Sequence, residues 1–150
     1  MPADQSPDTL LKRDCLDSLT RVSRKLRTVF NARVTAHGLT YARARTLLRL
    51  SEGANLTQKA LAEKLELEQA TMGRLLDTME ELGLIRRAFD PHDRRAKRIV
   101  LTKHGAAQAE LVEQIGAEVR EELFAGITGQ EMRDALVLLD AIERNTVEMS

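Results

Sequence analysis

Apolar residues recur at steps of three and four along most of this chain, which is the spacing that gives a helix one buried face. The first stripe predicts a long helix from about Thr9 to about Ala36. Gly38 ends this helix, and Thr40 is placed to cap a second one. Residues 1–8 hold two of the three prolines and no periodicity, so we expect a disordered tail there.

Two short helices and a hairpin are predicted in the middle of the chain. Thr57 is a credible N-cap for a helix that ends at residue 65, and a second helix runs from about residue 68 to about residue 82. The segments 83–87 and 98–101, separated by a polar and basic turn, predict two antiparallel strands. Two helices followed by a basic hairpin form a winged helix-turn-helix.

The last third of the chain returns to helical spacing. Thr102 can cap a helix that runs from Lys103 to about Ala125. Thr128 and Glu131 have the spacing of a capping box, which opens a last helix.

The whole pattern predicts a mainly α fold with a small β-hairpin wing, in which residues 9–150 form one winged helix-turn-helix domain. A DNA-binding lobe at about 40–102 is flanked by helices at about 9–36 and about 103–148.

These helices have little within the chain to cover their apolar faces, so we expect them to interlock with a second copy as a dimerisation layer. The alternative is a monomeric bundle. A two-fold dimer would place two winged modules about one DNA turn apart, which suits a palindromic site.

Composition is typical of a folded protein without a membrane segment. Charged residues make up 31% and hydrophobic residues 43%, whereas aromatic residues are only 3%, so the core must be aliphatic. No apolar run reaches the roughly 20 residues that a membrane span needs, and the N-terminus lacks the features of a signal peptide. The single cysteine cannot form an internal disulfide, so we expect a cytoplasmic protein.

The formal net charge of zero conceals an uneven distribution. Residues 1–109 carry a net charge of +7 and residues 110–150 carry −7. The positive part contains the predicted winged region, so the distribution is compatible with a face that binds nucleic acid.

The second short helix would present its N-terminal turns to base edges in a major groove. There Arg74 can bind guanine and Gln69 can bind adenine through two hydrogen bonds each, while Thr71 and Met72 can meet thymine methyl groups. Glu68, at the start of this helix, is a poor N-cap and would repel phosphate.

The hairpin turn concentrates positive charge. An arginine at its tip can enter a narrow minor groove. Asp93 lies two residues before Arg95, so an ion pair between them could aim the guanidinium. Together with the start of the first short helix, the candidate DNA-binding residues are Thr57, Gln58, Gln69, Thr71, Met72, Arg74, Asp93, Arg94, Arg95, Lys97 and Arg98.

The segments EQATMGRLLDTMEELGLIRR and DPHDRRAKRIVLTKHG resemble the MarR family of bacterial transcription regulators, and within it the SlyA-like branch. The likeness is strong over residues 57–105 and rests on helix pattern elsewhere. It implies a homodimer on pseudo-palindromic operators in double-stranded DNA, with Arg95 in the minor groove, supported by Asp93, and Arg74 in the major groove. It also implies a crevice for a small aromatic or carboxylate effector, and therefore a ligand-responsive repressor.

Three polar residues near the junction of the first two helices are candidates for that effector site: His37, Tyr41 and Arg45. Arg45 could hold a carboxylate and Tyr41 could flank an aromatic ring. Equally, the three could be a helix-terminal histidine, a half-buried tyrosine and a surface arginine.

Cys15 suggests a peroxide-sensing or other redox-sensing regulator as an alternative. Members of the same family that sense organic hydroperoxides carry a first-helix cysteine near tyrosines of the partner subunit, and Cys15 and Tyr41 resemble such a pair. The second expected tyrosine is missing, since Val29 or Phe30 stands at its position. Cys15 also lies on the apolar stripe, where a core thiol is the ordinary outcome.

Other classes of function have less support in the sequence. The three histidines and one cysteine are scattered over different elements without metal-ligand spacing, and there is no phosphate loop. We therefore expect neither an enzyme nor a metal or other cofactor. A winged helix can also serve as a protein-interaction adaptor, but an adaptor has no reason to concentrate four basic residues at its hairpin.

Overall fold

The computed structural model describes residues 6–53, 56–93, 95 and 97–150. The elements in chain order are α1 (Pro7–Thr35), α2 (Tyr41–Glu52), α3 (Gln58–Leu65), α4 (Gln69–Glu81), β1 (Ile85–Phe89), β2 (Lys97–Leu101), α5 (Lys103–Leu123) and α6 (Gly129–Met149). The chain divides into a compact unit of residues 1–116 and a second unit of residues 117–150. Among the residues described, no helix is both long and apolar enough to cross a membrane.

Side-chain caps set the starts of the helices. The hydroxyl oxygens of Thr40, Thr57 and Thr128 each accept a hydrogen bond from the backbone N–H three residues later. At α1 the cap is Ser6, which accepts from the N–H of Thr9, and Pro7 follows it at the first helical position. The helix therefore begins two residues earlier than predicted. Of the predicted disordered tail, residues 7 and 8 belong to α1 and Ser6 caps it, and the remainder lies outside the described residues.

The first unit has an aliphatic core built from α2, α3, α4 and the hairpin. Its largest fully buried apolar side chains within these elements are Leu47, Leu61, Met72, Leu76, Met79 and Ile85. Two apolar residues at the ends of α4 lie at the surface. Ala70 is exposed, and Leu82 is 50% exposed because it lies where α4 ends.

The wing is a two-stranded antiparallel sheet whose register runs from Ile85 opposite Leu101 to Phe89 opposite Lys97. The first strand begins two residues later than predicted. Gly83 has a φ of 72°, and its N–H donates to the carbonyl of Glu80, so this glycine still belongs to the end of α4.

The second strand also contacts the segment that precedes α3. The N–H of Ile99 donates to the carbonyl of Leu56 at 2.8 Å, and Thr57 forms a single bridge with Arg98. This pairing, which the sequence pattern did not predict, fixes the wing beside the start of α3.

The start of α5 packs closely against Leu84, the residue that precedes β1. A Cβ atom on Gly105 would lie 1.9 Å from the carbonyl oxygen of Leu84. Thr102 reinforces the contact, since its hydroxyl donates to the carbonyl of Gly83 and accepts from the N–H of Gly105. The base of the wing is thereby anchored to α5.

The terminal helices leave much of their apolar surface uncovered. On α1 the large exposed apolar residues are Leu10, Leu11, Leu16, Leu19, Val22 and Val29. In the second unit, α6 has no buried residue, and its large exposed apolar residues are Leu136, Val137, Leu138, Leu139, Val147 and Met149. The prediction that these two helices have few residues within the chain to cover their apolar faces is confirmed for the residues that the structure describes.

Candidate nucleic-acid interface

The helix pair α3–α4 is held together by Gln58. Its side-chain Nε2 donates to the carbonyl of Gln69 at 3.2 Å. Gly73 leaves room for this contact, because a Cβ atom there would lie 3.1 Å from the same nitrogen. Gln58 was predicted to contact DNA, but its amide nitrogen is used inside the helix pair.

The first turns of α4 present three polar side chains to the exterior. Gln69, Thr71 and Arg74 are all exposed, and Arg74 Nη2 lies 3.5 Å from the hydroxyl of Thr71. Glu68 forms no side-chain capping bond, as its poor capping propensity suggested. This end of α4 therefore has the side chains and the access that base recognition requires.

Met72 corrects the prediction for this helix. It was assigned to the DNA-facing side, but its side chain is 0% exposed. Met72, Leu76 and Met79 follow one another at steps of four and three, so they share the buried face of α4. The signal was present in the spacing, and Met72 is a core residue rather than a base contact.

Two aspartates fold the turn of the wing through backbone hydrogen bonds. Asp90 Oδ1 accepts from the N–H of His92 at 2.8 Å, and Asp93 Oδ1 accepts from the N–H of Arg95 at 2.9 Å. Asp93 thus supports Arg95 through its backbone, not through the predicted ion pair with the guanidinium. The Arg95 side chain is exposed, and Arg94 lies outside the described residues.

Arg98 is tied into the wing itself. Its Nη2 lies 3.3 Å from Asp90 Oδ1, and both side chains are mostly buried. The hydrogen bond from His92 is the main cause that lowers the pKa of Asp90; burial works against it, and Arg98 lowers the pKa further. Arg98 was predicted to contact DNA, and in this position its guanidinium pairs with Asp90, which follows the first strand.

A basic hollow of about 400 Å³ opens between the start of α3 and the wing. It is lined by Thr57, Gln58, Lys59, Arg87, Arg95, Lys97 and Ile99. Four of these residues carry a positive charge and none carries a negative one. The hollow is lined by predicted DNA-binding residues from both the start of α3 and the wing. It is also lined by Lys59 and Arg87, which were not among the predicted residues.

Arg87 links the wing to α4. Its guanidinium lies 2.7 Å from Asp77 and 3.4 Å from Glu80, and its side chain is 18% exposed. Its backbone N–H also donates to Glu80 at 3.2 Å. Asp77 and Glu80 are one helical turn apart on α4, so both carboxylates reach the same strand arginine.

The predicted effector residues fall into two places. The guanidinium carbons of Arg27 and Arg45 lie 4.8 and 5.6 Å from the ring centroid of Tyr41, and Phe30 meets the same ring edge-on at 6.0 Å. Tyr41 and Arg45 are thus together, as predicted.

His37 lines a different, smaller hollow. This hollow has a volume of about 200 Å³, and His37 shares it with Arg43, His104 and Gln108. The structure therefore does not bring His37 into the Tyr41 cluster.

Cys15 is exposed on α1 rather than packed in a core within the chain. It precedes Phe30 by fifteen residues, which is about 22 Å along a helix. Since Phe30 contacts Tyr41, a pairing of Cys15 with Tyr41 would need a second copy of the chain. Redox sensing stays a prediction.

Comparisons with known proteins agree on one family. A family model described as the MarR family matches residues 37–96. The transcriptional regulator PA3341 has 35% sequence identity, with 88% of this chain and 97% of that chain covered and a TM-score of 0.80. A mutant MarR from E. coli complexed with operator DNA has 25% identity, covering 84% of this chain and 91% of that chain, with a TM-score of 0.74.

The transcriptional regulator SlyA is also similar in fold. It has 23% identity over 90% of this chain and 95% of that chain, with a TM-score of 0.78. The assignment to a SlyA-like branch is compatible with this similarity.

Proposed function

Since this chain belongs to the MarR family of transcriptional regulators, we propose that it binds pseudo-palindromic operators in duplex DNA as a homodimer and acts as a repressor that a small effector releases. The observation that carries the proposal is the basic hollow between α3 and the wing, because Lys59, Arg95 and Lys97 line it beside the exposed start of α4. A regulator of this kind works where the chromosome lies, so the proposal places the chain in the cytoplasm.

The proposed contacts divide between the two grooves. Gln69, Thr71 and Arg74 would meet base edges in the major groove, because they are exposed on the first turns of α4. Arg95, whose backbone Asp93 supports, would enter the minor groove at the tip of the wing. Lys59 and Lys97 would bind phosphates from the hollow. The related MarR complexed with operator DNA supports the binding of an operator by this chain.

The homodimer is proposed from the terminal helices. Both α1 and α6 expose rows of leucine and valine, and apolar faces of this size are ordinarily covered in a stable protein. A second copy of the chain would cover the same faces in both subunits through a two-fold interface. The dimer then supplies two winged modules, as a pseudo-palindromic site requires.

The Tyr41 cluster supports a proposed effector site. Two guanidinium groups flank one aromatic ring there, and such an arrangement suits an aromatic carboxylate, which can stack on the ring and accept hydrogen bonds from arginine. Arg27 joins Tyr41 and Arg45 in this proposal, whereas His37 does not.

Salt dependence of DNA binding tests the proposed function. A duplex recovered by selection from genomic DNA should bind wild-type protein with log affinity falling linearly with log salt, at about 0.9 per phosphate contact. Arg95→Ala should weaken binding strongly, and Arg74→Ala should cost about 1–3 kcal/mol and relax the preference at one base in each half-site.

Arg144→Ala is the matched control, because Arg144 is an exposed arginine on α6 and is not among the residues proposed to contact DNA. It should bind like wild type. A wild-type protein whose affinity for duplex DNA does not depend on salt would contradict the proposal and would favour a protein-interaction adaptor.

A further inference from the structure

Phe89 is a large apolar side chain on a hairpin that is otherwise rich in charge. It ends β1, and it is 74% exposed, so the protein leaves most of its ring in water. Transfer of a phenylalanine ring from water to an apolar surface is favourable. A partner that covers this ring would therefore gain binding energy that the free chain does not use.

The pairing of the strands places Phe89 on the face that borders the basic hollow. Residues directly opposite each other in an antiparallel sheet share one face, and so do alternate residues along a strand. Phe89 is opposite Lys97, and Arg87 is opposite Ile99. Arg87, Lys97 and Ile99 all line the hollow, so the ring of Phe89 continues the hollow toward the end of the wing.

Lys97 is held next to the ring. Its Nζ lies 5.7 Å from the ring centroid of Phe89, within the range of a cation–π contact. The wing thus presents one apolar surface and one cation side by side. The sugar–phosphate backbone of DNA alternates apolar deoxyribose with anionic phosphate. The deoxyribose suits the apolar ring of Phe89, and the phosphate suits the cation of Lys97.

We infer that Phe89 packs against deoxyribose and base edges in the minor groove beside the wing, while Lys97 binds the adjoining phosphate. The inference rests on the proposed function, because it assigns an additional contact to the same DNA-binding face. Apolar side chains that enter a minor groove contribute through packing and partial unstacking of base steps. The contact therefore adds affinity without releasing counterions.

A tryptophan at position 89 tests the inference directly, because the chain contains no other tryptophan. The Phe89→Trp protein is titrated with the selected duplex, and complex formation is followed independently by the anisotropy of labelled DNA. The indole emission should be quenched on binding, and its accessibility to acrylamide should fall. Phe124→Trp is the control, since Phe124 is 42% exposed and lies in the second unit; its emission should not change.

Two further variants separate the apolar contact from the ionic one. Phe89→Ala should weaken binding at least about fivefold with the salt slope unchanged. Lys97→Ala should instead make the salt slope shallower by about 0.9 for each phosphate that Lys97 neutralises in the wild-type complex. Thermal unfolding should match wild type for Phe89→Ala, because the ring is exposed.

The inference is overturned if Phe89→Ala binds within about twofold of wild type, or if the indole at position 89 stays accessible in a complex that anisotropy shows to be saturated. A wild-type protein that binds no duplex would instead refute the proposed function.

Discussion

The DNA-binding lobe and the terminal helices use the same aliphatic residues but bury them differently. In the lobe, Leu47, Leu61 and Leu76 are fully buried by neighbouring elements. In α6 no residue is buried, and α1 exposes leucine and valine over much of its length. The lobe therefore carries its own core, whereas α6 and much of α1 leave their apolar residues exposed.

The largest expected effect is on the core of the lobe. Leu76→Ala removes a fully buried side chain, so it should lower the free energy of unfolding by about 2–5 kcal/mol. Leu138→Ala on α6, where the residue is 52% exposed, should have a much smaller effect when protein concentration is low. Denaturant unfolding of both variants over a range of protein concentrations measures the difference. Equal losses of unfolding free energy at low protein concentration would contradict the difference between the lobe and the terminal helices.

The second effect concerns assembly. Leu136→Asp and Leu139→Asp together place two charges one helical turn apart on the apolar surface of α6. They should raise the dissociation constant of the dimer by about 100-fold or more, because an unpaired charge is costly to bury. Sedimentation velocity measures the change. Glu143→Gln, on the same helix, is the control and should remain dimeric; a wild-type protein that is already monomeric would contradict the proposed dimer.

A smaller effect is expected where Arg87 joins the wing to α4. Arg87→Gln and Asp77→Asn should show a coupling of about 1 kcal/mol in a double-mutant cycle of stability, since Asp77 is 65% exposed and solvent screens the pair. Both variants should also weaken operator binding, because the contact that joins the wing to α4 is lost. Additive effects on stability would show that the ion pair does not hold the wing.

The smallest effect is expected from Asp90. A carboxylate whose pKa is lowered in the folded state contributes stability that is present above its ordinary pKa and is lost as pH falls through the folded pKa. The stability difference between wild type and Asp90→Asn should therefore stay constant from neutral pH down to about pH 4 and shrink below it. Unfolding measured across this range checks the sign; a difference that grows in acid would contradict it.

Sequence predicted the lobe well because its signals are local. Threonine caps, the 3.6-residue period and Gly83 placed the ends of α3 and α4 within two residues. Met72 was misplaced because the apolar residues of α4 cover a wide arc, and several choices of buried face were plausible. Counting back from Leu76 and Met79 at helical spacing places Met72 on the same face, which is the buried one.

Contacts between distant segments were not visible in local patterns. The anchoring of Arg87 by Asp77 joins residues ten positions apart, and the role of Asp93 depends on the backbone geometry of the turn. The pairing of Phe89 with Lys97 follows from the strand register, which the predicted first strand, two residues too early, could not give. Charge and hydropathy alone therefore indicate a candidate interface, but they do not show which contacts hold its parts together.

The most direct test of the account is a hydroxyl-radical footprint of the wild-type protein on its selected duplex. A homodimer that reads DNA with α4 and the wing should protect two symmetry-related patches whose centres are about 10 base pairs apart. Arg95→Ala should lose the minor-groove part of each patch. Protection of a single patch, or two patches without a two-fold relation, would contradict the claim that the terminal helices pair two DNA-binding lobes.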